Sequence, residues 1–159
     1  YCLQAAAGTP LSLLQKTTLR FGTQSLTLLT RIESDQQGMR FVGLTPFGQT
    51  LMSVSWENGS IRADLPPAMQ GRLDPALLLA LVQLAQWPEE AVRRGLGEQW
   101  ELTESAGRRS LKLASQEHIM LDILREGPPP YHRLRIEAPG LGFQMEAVRL
   151  LENDNEEKQ

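Results

Sequence analysis

Short runs that alternate apolar and polar residues flank one segment that is apolar nearly all round. This arrangement constrains the fold more than any other feature of the chain. A period of two marks a half-buried strand, whereas a helix apolar on every side must be enclosed. Residues 25–33 put Leu26, Leu28 and Ile32 on one pleated surface, and a turn cluster at 34–38 follows. Residues 39–45 offer Met39, Phe41 and Leu44 as inward candidates. After Pro46, Phe47 and Gly48, the set Thr50, Met52, Val54 and Trp56 alternates with Leu51, Ser53 and Ser55. Asn58 and Gly59 are a strong hairpin signal, since both tolerate positive φ, and residues 60–65 return.

The pattern breaks at Pro66 and Pro67. Asp74 followed by Pro75 reads as a helix start, an oxygen acceptor at the cap and a proline at the first position. Residues 76–85 form the all-round apolar stretch, and Pro88 ends it. A second helix is expected over 89–94, with acids in its first turn and arginines in its last, and Gly95 as its C-terminal stop. Strands resume over 99–104, 109–114, 118–124, 131–138 and 143–150. Most connections are too short for parallel crossovers. The expected fold is therefore mainly β with a helical insertion (α+β). It is a strongly curved antiparallel sheet, or half-open β-barrel, whose helices plug the concave face. The domain is expected over residues 13–151, after a leader (1–12) and before a charged, disordered tail (152–159).

Chemistry is less visible than architecture. Net charge is −3, and the 16 lysines and arginines are dispersed, so nucleic acid is not an expected partner. The pairs Arg93/Arg94 and Arg108/Arg109 read as solvated faces. A single cysteine leaves no internal disulfide and no cysteine-rich metal site, and His118 and His132 have no ligand spacing around them. No Gly-x-Ser-x-Gly elbow occurs, and Glu89 and Glu90 point apart on a helix. No cofactor, no metal and no catalytic activity are expected. Trp56, Trp87 and Trp100 read as core, with Trp87 able to pack a helical lid against the sheet. The longest apolar run, 76–82, is far shorter than the ~18 residues of a membrane span. The apolar strand faces and the apolar helix either enclose a cavity or fill one another, and both readings stand at this point.

Cys2 heads a soft stretch, residues 3–10, in the manner of a cysteine that carries lipid on an exported bacterial protein. Tyr1 is bulkier than the residue that normally precedes such a cysteine. With the meander over 41–51, the helical insertion and the returning strands, the chain resembles two related groups over roughly residues 13–151. One is an uncharacterised family of Gram-negative lipoproteins encoded with aryl-polyene pigment genes. The other is the LolA/LolB-like group of periplasmic lipoprotein carriers and outer-membrane receptors. The most specific piece is the strand–Pro/Gly–strand signature over 44–51.

The resemblance implies a non-enzymatic protein whose concave apolar surface holds acyl chains. It implies lipid attachment at Cys2 and, since Leu3 is not the aspartate that retains such proteins at the inner membrane, an outer-membrane location on the periplasmic side. A receptor's apolar tip would correspond to Phe47, whereas the alternative loop at 34–38 has no large apolar residue. The reading is a lipid-anchored monomer that binds or transfers a lipid or acylated ligand. Leu28, Phe41, Met52, Val54, Leu81, Met120 and Ile136 are expected to line its cavity. The rival is a structural lipoprotein with a filled core that docks a protein partner in the cell envelope.

Overall fold

The computed structural model describes residues 1–4 and 10–150. Part of the expected leader (5–9) and all of the expected charged tail lie outside the described residues. Ten strands form one sheet: β1 (Leu11–Phe21), β2 (Gln24–Ser34), β3 (Gly38–Leu44), β4 (Thr50–Glu57), β5 (Ser60–Asp64), β6 (Trp100–Ser105), β7 (Arg108–Leu113), β8 (Leu121–Glu126), β9 (Arg133–Ala138) and β10 (Phe143–Arg149). Helices α1 (Pro75–Gln86) and α2 (Glu89–Gly95) separate β5 from β6.

The order across the sheet is β5-β4-β3-β2-β1-β10-β9-β8-β7-β6, and every neighbouring pair is antiparallel. The chain meanders outward from β1 to one edge, crosses to the other edge through the helices, and meanders back to pair β10 with β1. β5 and β6 are both edges, so the sheet does not close. It is nonetheless strongly curved, because α1 touches β4, β5 and β9. β4 and β9 are five strand steps apart, roughly 24 Å on a flat sheet, against a helix diameter of ~10 Å. One helix reaches both only if the sheet wraps around it.

The alternation seen in sequence becomes the division between inside and outside. Leu13, Leu19, Leu28, Ile32, Met39, Phe41, Met52 and Val54 face inward from the first half of the sheet. Leu111, Ile123, Leu134, Ile136 and Met145 do so from the second. Inside the curve, every α1 residue from Leu78 to Ala85 is buried. Asp74 caps α1 as expected, its carboxylate accepting from the Ala76 N–H at 3.0 Å. Asn58 (φ 51°) and Gly59 (φ 78°) turn the β4–β5 hairpin.

Some local expectations are corrected. Leu44 is not inward. The period of two running from Met39 through Phe41 assigns the next inward place to Gly43, and the ladder shifts register there. β8 begins at Leu121 rather than 118, because the chain first turns through Gln116, whose N–H donates to Leu113 O at 3.0 Å and whose carbonyl accepts from Lys112 Nζ at 3.0 Å. β9 begins at Arg133 rather than 131.

Candidate functional site

The interior between sheet and helices is the first candidate. Leu28, Phe41, Met52, Val54, Leu81 and Ile136 meet there, none more than 4% exposed. Met120 does not join them; it lies in the β7–β8 connection, half-buried, its N–H donating to Leu111 O at 2.9 Å. The side chains that meet there are closed off from solvent. β5 and β6 do not pair, and α1 lies against β4, β5 and β9.

α1 is tied into this interior by charge at one end. It has no basic residue in its last turn, and the sheet supplies two. Arg109 of β7 donates from Nη1 to Leu84 O at 2.7 Å and to Trp87 O at 2.8 Å. Arg125 of β8 donates to Ala85 O at 3.3 Å. Both cations meet the negative end of the helix, where carbonyls lack helical partners. Glu104 of β6 pairs with Arg109 and lies 3.6 Å from Arg125, and Arg125 also stacks over Tyr131, 4.8 Å from the ring centre. Burial, and then the neighbouring Arg125 charge, pull the Arg109 guanidinium below its ordinary pKa, while Glu104 opposes the shift. The reading of Arg108 and Arg109 as one solvated pair is half corrected. Arg108 is exposed and ion-paired to Asp122 at 2.8 Å, whereas Arg109 is buried. Adjacent strand residues face opposite sides, and Arg109 shares its side with Leu111.

A second set of contacts, which sequence reasoning missed, holds residues 1–4 against the helices. Cys2 N–H donates to Gly95 O at 2.8 Å, and Gln4 N–H donates to Gln83 Oε1 at 2.8 Å. Trp87 Nε1–H donates to Gln4 O at 3.0 Å. The Tyr1 hydroxyl donates to Gln83 Oε1 at 3.2 Å, and burial pushes its pKa up to about 12. Gln83 is fully buried, between apolar neighbours in α1. A lone glutamine within residues 76–85 was the one available signal, since a buried amide needs a partner. Gly95 does not end α2 through a left-handed turn, and its glycine character has another cause. A Cβ there would lie 2.5 Å from both Cys2 O and the Tyr1 ring. Cys2 itself is a free, exposed thiol.

Two further features lie on the surface. An open groove of about 810 Å³ lies across β1–β5. In register it carries Ser12, Glu33, Arg40, Ser55 and Arg62, on the face opposite the core. At one end of the sheet, apolar side chains stand on three turns: Phe47 (91% exposed) between β3 and β4, Ile119 (43%) between β7 and β8, and Leu141 (58%) between β9 and β10. Alternating strand directions place all three turns at the same end. Among the described residues no cluster of His, Cys, Asp and Glu can hold a metal ion, and no helix is long and apolar enough to cross a membrane.

Residues 12–150 match the model of a family described as a protein of unknown function, DUF3261. The chain belongs to this family. No curated protein matches the sequence of this DUF3261 member. Among solved structures, it is similar to the crystal structure of a domain from Vibrio parahaemolyticus described as an outer membrane lipoprotein-sorting protein domain. The two share 11% identity, the match covers 92% of this chain and 89% of that one, and the TM-score is 0.42.

Proposed function

We propose that this protein is a lipid-anchored envelope protein that binds or transfers a lipid or acylated molecule by enclosing its acyl chain in the interior, without covalent chemistry. One observation carries this reading. An unclosed, curled sheet with an apolar concave face is covered by a helix that is itself apolar nearly all round, across a seam with no strand pairing. Displacing α1 partway exchanges helix–sheet contacts for chain–sheet contacts, and each buried CH₂ contributes ~0.8 kcal/mol. Leu28, Phe41, Met52, Val54, Leu81 and Ile136 are the residues that would meet the chain.

Phe47, Ile119 and Leu141 support approach to a lipid surface, since apolar side chains on turn tips at one end would enter a bilayer together. In the anchored form the chain is cut before Cys2, so Tyr1 leaves, and the acylated Cys2 nitrogen keeps one N–H for Gly95 O while Gln4 keeps its bonds to Gln83 and Trp87. Outer-membrane location on the periplasmic side and a monomeric state complete the reading.

Native mass spectrometry of the folded chain with acylated lipids and lipopeptides tests it. A saturable one-to-one adduct, weakened by Met52→Asp more than the fold is, supports the reading. No adduct from a folded protein overturns it. The open groove across β1–β5 favours one rival, a structural lipoprotein that docks an envelope partner protein. That rival predicts no adduct, and a groove substitution such as Arg40→Glu would release the partner.

A further inference from the structure

We propose that residues 2–4, with Tyr1 beside them in the uncut chain, form a latch whose release admits the acyl ligand to the interior, an inference that rests on the lipid reading above. Two main-chain N–H groups and one carbonyl of this segment are taken up by Gly95 O, Gln83 Oε1 and Trp87 Nε1. Those partners belong to α1, α2 and the residue after α1, the parts that cover the unpaired seam. Tyr1 and Leu3 pack against the core cluster beside them.

The slot is shaped for this occupant. Gly95 gives up the Cβ that would collide with Cys2 O and Tyr1, and Trp87 is buried with its indole N–H aimed at Gln4 O. Gln83 bridges the latch and the sheet. Its Oε1 receives Tyr1 and Gln4, while its Nε2 contacts the Met39 sulfur of β3 at 3.1 Å. With the latch in place the Gln83 carbonyl is satisfied. With the latch withdrawn, that oxygen is a buried acceptor without its donors, which favours outward movement of the helix. The latch therefore biases the same helix that an entering acyl chain must displace.

Gly95→Ala separates the latch from the fold, because alanine favours α2 as a helix while its Cβ strikes the segment. Gln4→Pro removes the N–H that reaches Gln83 and leaves the helices untouched. Both variants and the parent are followed by hydrogen exchange at residues 1–4 and by uptake of dansyl-undecanoic acid. The expected result is roughly tenfold faster exchange at the Cys2 amide in both variants, with uptake accelerated by a similar factor. Freed amides with uptake at the parent rate overturn the latch and leave the lipid reading standing. Unchanged amides in both variants overturn the latch by showing that these groups do not hold the segment. No uptake by any of the three proteins overturns the lipid reading and the latch with it.

Discussion

The two ends of α1 are held by different physics. At the C-terminal end, Arg109 and Arg125 reach out of β7 and β8 to bond Leu84 O, Ala85 O and Trp87 O, and Gln86 Nε2 reaches Pro130 O at 3.3 Å. At the N-terminal end, the bonds to the first turn come from Asp74, which is local to the helix itself. There Leu78 and Leu79 are fully buried in the apolar core cluster. Directional bonds between charged groups and carbonyls define one position. Apolar contacts tolerate exchange for any other apolar surface of similar volume. On the proposed reading, the C-terminal end is a pivot and the N-terminal end the one an acyl chain would replace.

The largest expected effect tests the pivot. Arg109→Met leaves Glu104 and two helix carbonyls without their buried donor, and a loss of about 3–5 kcal/mol in urea unfolding is expected. A loss near 1 kcal/mol would break the comparison, since the arginine would then be an ordinary surface contact. Leu78→Ala, near the other end, removes a fully buried side chain and should cost about 2–4 kcal/mol. The same variant should bind an acyl probe more tightly, because the chain can fill the vacated space, whereas Arg109→Met should not.

Gln83→Leu acts at the pivot end, next to Leu84 and Ala85. It removes the acceptor for Gln4 and Tyr1, and a destabilisation of about 1 kcal/mol is expected, with hydrogen exchange faster at Gln4 than anywhere in the sheet. The pH dependence of this contact has a definite sign. Tyr1 has an ordinary pKa of 10.0 and about 12 in the fold, so its contribution is complete below pH 10 and is lost as pH rises towards 12. In a Tyr131→Phe background the tyrosinate absorbance of Tyr1 should appear only in that upper range, and earlier ionisation would show that the latch is open. Smallest for stability is Phe47→Ser, expected within about 0.5 kcal/mol of the parent because the ring stands almost entirely in solvent. Vesicle co-sedimentation should nevertheless fall, and retention of full binding would remove this turn from the membrane contact.

Much of the fold was legible because it follows from local rules. Alternation at a period of two separates Phe41 and Val54 from Arg40 and Ser55, whatever the rest of the chain does. Asp74 with Pro75, and Asn58 with Gly59, specify a helix start and a tight turn through their own backbone chemistry. The all-round apolar character of residues 76–85 required a cover, and with short strand connections it required a curved antiparallel one. Strand starts were less legible where side chains turn the chain, as Lys112 and Gln116 do before β8.

The charged tie and the latch belong to tertiary structure alone. Arg109 and Leu84 are 25 residues apart, and Tyr1 and Gln83 are 82 apart. No local pattern tells a solvated arginine from one that closes a distant helix, because the difference is the partner the folded chain brings to it. Gly95 shows the same limit. Its sequence context suggests a helix stop, and only the packing of Tyr1 and Cys2 against it shows that the missing side chain makes room for another segment. Periodicity and turn chemistry determined the shape of the container. Which groups hold it shut was decided by contacts between residues far apart in the chain.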